Sequence, residues 1–243
     1  MKVLIRSGRA NSEMRIIFSV TITAFLLFVA CGTRYIGGVR AISASKNVQR
    51  ERISGPALVD SRNDNSYRTV EIGGAVWMAE NLNHEVDNGN SWCYEDDESN
   101  CQKYGRLYDW YTANEACPIG WRLPTRQEWR DLISVAGGSR EASGKLTSAT
   151  GWKHNGTDNY GFSALPSGIR NANGSFDYVD AIGFWWSATE NPSADEKTHD
   201  ALFGRDVYSV DGAYYLKMFP SSTLVIEQYI IKSYGFSVRC IQD

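Results

Sequence analysis

The stretch from Cys117 to Ile133, CPIGWRLPTRQEWRDLI, holds one cysteine, two tryptophans, three arginines and the acidic residues Glu128 and Asp131. Functional groups at that density could do redox, acid–base or binding chemistry. Their spacing points elsewhere. Thr125 to Glu128 is a Thr-x-x-Glu capping box, in which hydroxyl and carboxylate satisfy free N–H groups at a helix start. Trp129, Leu132, Ile133 and Ala136 follow at i, i+3, i+4 and i+7, which makes one apolar face. Gly137-Gly138 then ends the helix. Arg126, Arg130 and Asp131 lie off that face and read as solvated, and Trp121 reads as packed beneath a loop. The stretch is scaffold on this reading.

Other clusters are weighed the same way. Asp96, Asp97 and Glu98 sit in the short loop CYEDDESNC and could hold calcium, which favours clustered carboxylate oxygens. Consecutive residues seldom converge on one ion, so a solvated acidic loop explains them as well. NANGSFD, Asn171 to Asp177, offers oxygens at alternating positions, but an Asn-Gly hairpin turn accounts for the same residues. Trp152, Tyr160, Trp185 and Trp186 fall in turn-rich sequence, where binding surfaces concentrate, and are the candidates for stacking on sugar rings. Adjacent Trp185 and Trp186 would point opposite ways in a strand, which puts one of them in the core. His154, Asp158 and His199 could do acid–base work, but nothing in the sequence pairs them. Ser43 to Lys46 matches Ser-x-x-Lys inside a linker with no supporting fold. There is no Gly-x-Ser-x-Gly, His-Glu-x-x-His or phosphate loop. No catalytic residue, metal site or cofactor is assigned, calcium being the one ion these oxygens would suit.

Cysteine use and charge bound the setting. The cysteines are Cys31, Cys93, Cys101, Cys117 and Cys240. Ile16 to Ala30 is an uncharged apolar run after basic residues, short for a membrane span but suited to a signal-peptide core. It closes in LLFVAC, which resembles a bacterial lipobox with Cys31 as the lipidated residue, although Phe28 stands where Leu is usual. Met14-Arg15 would start a more compact signal, so translation is expected to begin at Met14. With Cys31 lipidated, four cysteines remain, and three pairings exist. Cys93 and Cys101 can close their loop locally, which leaves Cys117 for Cys240. The alternative is a zinc cluster, but there is no Cys-x-x-Cys and the three histidines lack ligand spacing. Removing a leader that carries +3 from a chain at −3 leaves the mature chain near −6, which argues against a nucleic-acid partner.

These observations divide the chain into a lipoprotein signal over 1–31, a flexible Gly/Ser-rich tether over 32–66, and one domain over 67–243. Within the domain, YRTVEI and AVWMAENLN flank Gly73-Gly74 as a hairpin. Leu107, Trp110, Tyr111 and Ala113 favour an aromatic-faced helix over 105–117. AYYLKMF and GFSVRC are strand candidates near the end.

The blocks VWMAENLN, WCYEDDESNCQKYGRLYDW, ACPIGWRLPTRQEW, GTDNYGFSALPSGIRNANGSF, WWSATE and GFSVRC occur in that order. Together they resemble the Fibrobacter succinogenes major paralogous domain family, over Tyr67 to Asp243. The resemblance implies an α+β, C-type lectin-like fold, similar to that of the formylglycine-generating enzymes. That means two helices, a small twisted antiparallel sheet, long loops, and a disulfide joining an early helix to the last strand, which the Cys117–Cys240 pairing fits. It carries over no active site. The copper-binding cysteine pair of the formylglycine-generating enzymes has no counterpart left free here, and Glu190-Asn191-Pro192 reverses the calcium-loop order of sugar-binding lectins. The expectation is an exported, lipid-anchored cell-envelope protein with a non-catalytic binding or adhesion role. Its partners would be the membrane through the lipid and a glycan or envelope protein. Its location would be the outer membrane, with the domain in the periplasm or at the surface. The alternatives are a divergent formylglycine-generating-like enzyme and a purely structural envelope protein.

Overall fold

The structure, a computed structural model, describes residues 54–87, 89–191, 197–200, 205–208, 212–219 and 224–243. The signal segment, Cys31, Ser43 to Lys46 and the side chain of His199 lie outside the described residues. In chain order the described elements are β1 (Ser54–Asp60), β2 (Asn65–Ile72), β3 (Ala75–Met78), β4 (Ser91–Trp92), a 3-10 turn (Tyr94–Asp96), α1 (Glu98–Tyr104), β5 (Leu107–Tyr108) and α2 (Trp110–Glu115). Then come β6 (Trp121–Arg122), α3 (Arg126–Val135), α4 (Ala142–Leu146), β7 (Ser167–Arg170), β8 (Phe176–Val179) and β9 (Gly183–Asn191). The chain continues through β10 (Lys197–Asp200), β11 (Arg205–Tyr208), β12 (Gly212–Met218), β13 (Val225–Ile231), β14 (Phe236–Ser237) and β15 (Ile241–Gln242).

Two sheets organise the domain. One runs β1-β2-β3-β15-β6, the other β13-β12-β9-β14-β5-β4, and β7-β8 and β10-β11 are separate hairpins. Among the described residues, every ladder between these strands is antiparallel except β14 against β9, where Ser237 pairs with Trp185 in parallel. The architecture is mixed α+β with mostly strands. It is larger than the two-helix, single-sheet expectation, with four α-helices among the described residues. The domain also starts earlier than Tyr67. β1, placed in the tether by its Gly/Pro-rich composition, pairs with β2 from Ser54↔Val70 to Asp60↔Asn65. A Gly-Pro start with a register shift hides the strand period that would have revealed it.

The hairpin at Gly73-Gly74 forms as expected, with Ile72 opposite Ala75 and both glycines at positive φ, where a side chain would be strained. The Thr125 box also forms. Thr125 Oγ1 accepts from Glu128 N at 3.3 Å and Glu128 Oε2 accepts from Thr125 N at 2.8 Å. The helix expected over 105–117 is instead split. Leu107 and Tyr108 pair with β4 and β14, and the Asp109 carboxylate caps a shorter α2 by accepting from Thr112 N at 2.8 Å.

The core lies on both faces of β9. Phe184 and Trp186 enter one cluster with Tyr108, Trp110, Tyr215 and Phe236, where the Trp186 and Phe236 rings are 4.4 Å apart. Trp185 enters a second cluster with Trp77, Trp129, Trp152 and Phe162, where the Trp77 and Trp129 rings are 5.0 Å apart. A strand buried on both faces needs no polar face, which is why FWW can stand unbroken in it.

Candidate functional site

The aromatic residues expected to stack on sugars are mostly interior. Trp185 and Trp186 are both fully buried and Trp152 is 6 % exposed. Their indole N–H groups donate to Asn81 Oδ1, the Tyr108 carbonyl and the Ala164 carbonyl, at 2.9, 2.7 and 2.8 Å. Tyr160 is half-buried against the same core and its hydroxyl donates to the Val135 carbonyl at 2.8 Å. The stacking role is therefore corrected for the three tryptophans. Alternation put one of Trp185-Trp186 in the core; both are there, because elements cover both sides of β9.

The oxygen clusters disperse as well. Asp97 caps α1 by accepting from Ser99 N at 2.9 Å, while Glu98 reaches back to lie 3.6 Å from Arg106 Nη2. In the β7–β8 turn, Asn171 Nδ2 donates to Ser175 Oγ and Asp177 Oδ2 at 2.9 and 2.6 Å, so this is the turn anticipated for NANGSFD. His154 is exposed, whereas Asp158 is buried and bonds Ser163 through N and Oγ at 2.8 and 2.7 Å. Among the described residues, one trio of metal-ligating types converges: Cys93, Glu98 and Cys101, with ligand atoms within 4.8 Å of one another. Its two sulfurs are bonded to each other, so they offer no thiolate. Cys117 and Cys240 form the second disulfide.

The structure gathers a different group of residues, in a polar cleft of about 1070 Å³. The turn into β2 supplies Arg62, Asn63 and Asn65, and the segment after β3 supplies Asn83, His84, Glu85 and Asp87. The α1 side brings Glu98 and Arg106, and α2 brings Tyr111 and Glu115. Sequence reasoning passed over this site because its parts come from four segments, each of which reads locally as a turn or a helix. The available signal was NLNHE, Asn81 to Glu85, a polar run placed directly after a strand.

Each wall is fixed from behind. Arg62 holds buried Asp60 through two bonds, Nε to Oδ1 at 2.8 Å and Nη2 to Oδ2 at 2.7 Å, and also donates to the Ala116 carbonyl at 2.7 Å. Burial pushes the Asp60 carboxyl up, but the Arg62 bonds outweigh it and hold the group below its ordinary range. The backbone of His84 is bracketed by the Tyr108 hydroxyl, which accepts from His84 N at 3.0 Å and sits 2.8 Å from its carbonyl. Partial burial, then the nearby Arg62 charge, lowers the His84 pKa, so its ring is neutral at pH 7. Asn63 Nδ2 lies 3.3 Å from His84 Nδ1. Arg106 Nη2 lies 2.7 Å from Glu85 and 3.6 Å from Glu98.

Tyr111 is the large exposed ring at the cleft, 55 % exposed. It packs edge-on to Trp110, with ring centroids 5.7 Å apart. Beneath the pair, Lys232 Nζ sits 4.3 Å from the Trp110 centroid and 5.1 Å from that of Tyr111, and 3.3 Å from Glu190. The arrangement offers a pre-positioned aromatic face beside planar amide, carboxylate and imidazole groups. That chemistry suits a ligand rich in hydroxyls. The described lining contains no serine or cysteine to act as a nucleophile, and its Thr112 hydroxyl accepts from Asn90 N at 3.0 Å.

A model of the Fibrobacter succinogenes major domain matches residues 70–242. No curated protein and no solved structure matches the chain.

Proposed function

The chain belongs to the Fibrobacter succinogenes major domain family, and we propose that it is an exported, lipid-anchored cell-envelope protein whose domain binds a glycan without transforming it. The observation that carries the binding reading is the polar cleft, with Tyr111 held at its rim by Trp110 and Lys232. Exposed, immobilised rings beside hydrogen-bonding planes recognise sugars at little entropic cost. Anchoring rests on the apolar run ending at Cys31. Two disulfides agree with folding in an oxidising compartment. A C-type lectin-like arrangement of the α+β fold is supported by the Cys117–Cys240 bridge, which ties the segment after α2 to the one before β15. Copper-dependent oxidation of the formylglycine-generating type would need a free thiol pair, and Cys93, Cys101, Cys117 and Cys240 are engaged in disulfides.

The experiment has two arms on the full-length chain. Metabolic labelling with a palmitate analogue should mark the wild type and not Cys31→Ser, and the variant should leave the membrane fraction. Pull-down on a panel of insoluble and immobilised polysaccharides should retain the protein with the polysaccharide unchanged. Turnover of any panel member, or label persisting in the variant, refutes the corresponding half.

A further inference from the structure

The charges in the cleft are unevenly committed. Its described lining carries Arg62 and Arg106 against Glu85, Asp87, Glu98 and Glu115, a formal balance of −2 with His84 neutral. Neither guanidinium is idle. Arg62 forms a two-bond pair with Asp60, a carboxylate buried completely behind the wall. The Arg106 side chain is only 9 % exposed and lies against Glu85 and Glu98. Asp87 and Glu115 are exposed and form no ion pair among the described residues. A ligand carboxylate or phosphate would thus enter an acidic site whose cations are already neutralised. To gain one it would have to displace an internal carboxylate, and the displaced group would be left unpaired next to the ligand, Asp60 behind the wall or Glu85 and Glu98 in it, as an added negative charge. Hydroxyl groups meet no such barrier. They can accept from the Asn83 side-chain amide, which makes no hydrogen bond among the described residues, and donate to the free carboxylates.

We propose that the cleft takes uncharged saccharides and rejects anionic ones, with Asp87 and Glu115 as the rejecting groups and Tyr111 as the stacking face. The proposal rests on the glycan-binding reading and specifies the ligand class of the same site. Discrimination comes from repulsion as much as from attraction. Because Asp87 and Glu115 are exposed, that repulsion is screened by salt, and the preference narrows as ionic strength rises.

The test is retention of the full-length, detergent-solubilised protein on two immobilised sets. One set is neutral (xylan, glucomannan, mixed-linkage glucan and galactan) and the other anionic (polygalacturonate, alginate and a sulfated glycan). At about 20 mM salt, binding to the best neutral polymer should be at least tenfold tighter than to any anionic one, and the ratio should shrink at about 500 mM. Asp87→Asn combined with Glu115→Gln alters two exposed positions, and should narrow the ratio at least threefold at low salt. Anionic polymers bound as tightly as neutral ones, or a ratio unchanged in the folded double variant, overturn the selectivity and leave glycan binding standing. Retention by neither set overturns the binding reading, and the selectivity with it.

Discussion

Asn81 is one carboxamide on which distant segments converge. Its Oδ1 accepts from Trp185 Nε1 and from Arg239 Nε, both at 2.9 Å, and its Nδ2 donates to the Tyr104 carbonyl at 2.8 Å. Arg239 is fully buried and forms no ion pair with a carboxylate among the described residues. Backbone carbonyls of Met78, Phe162 and Ser163 hold its guanidinium, which lies 4.4 Å from the centre of the Phe162 ring. Burial pulls its pKa down to about 9. Replacing Asn81 with alanine leaves a buried cation and an indole short of an acceptor, so a loss of about 3–5 kcal/mol in unfolding free energy is expected. Urea titration measures it, and a loss below about 1 kcal/mol contradicts the hub role. Tyr111→Ala separates binding from folding. Retention on the best polysaccharide should fall at least tenfold while stability moves by no more than about 1 kcal/mol, the worth of the exposed ring's contacts with Trp110 and Lys232. An equal loss in both would make Tyr111 a packing residue instead.

At the scale of elements, α3 shows how local signals and distant partners combine. Its capping box is written in four consecutive residues, but Glu128 also receives Arg122 of β6, with Nη1 at 2.8 Å and Nη2 at 2.5 Å. The Arg122 bonds, helped by those from Thr125, pull the Glu128 pKa from 4.5 down to about 2 against the opposing effect of burial. A carboxyl with a depressed folded pKa stabilises fully above its ordinary pKa and loses that contribution as pH falls through the folded value. Glu128→Gln keeps a side chain that can close the box but loses the charge paired with Arg122, so it should cost about 1 kcal/mol at neutral pH. It should also flatten the stability profile between 4.5 and about 2, read from denaturant midpoints at each pH. An acid limb identical to wild type would refute the assignment. Of the arginines expected to be solvated on this helix, Arg130 is 48 % exposed and Arg126 29 % exposed, and both are also clamped. Arg126 Nε and Arg130 Nη2 donate to Glu227 Oε1 of β13 at 2.6 and 2.9 Å, and Arg126 stacks 3.7 Å from the centre of the Tyr214 ring. Helical spacing shows that these arginines point away from the core, but not that a sheet edge waits there.

For the whole molecule, the two disulfides differ in how much chain they constrain. Cys93–Cys101 closes a separation of 8 and Cys117–Cys240 one of 123. In the chain-entropy model these are worth about 2–3 and about 5 kcal/mol respectively. Paired replacement of Cys117 and Cys240 by serine should therefore destabilise the domain by roughly twice as much as replacement of Cys93 and Cys101. Thermal unfolding of the two variants compares them directly, and the reverse order would show that unfolded-chain entropy is not the main term. The long bridge also closes the domain around its last residues. Ile241 pairs with both Trp77 of β3 and Arg122 of β6, so the end of the chain joins strands from its first half.

The sequence by itself determined whatever is decided within a few residues. The glycine hairpin, the α3 box and the β7–β8 turn are local hydrogen-bonding problems with local solutions. Tertiary structure decided what depends on which surfaces meet. Whether Trp185 or Trp186 faced solvent could not follow from alternation, because both sides of β9 are covered. β1 is a strand because β2 offers it an edge, not because its own residues favour one. The cleft belongs to this second kind. Its residues lie on separate turns and helices, and the Asp60–Arg62 pair, the Tyr108 hydroxyl and the Lys232 ammonium bring them to one face only once the chain has folded.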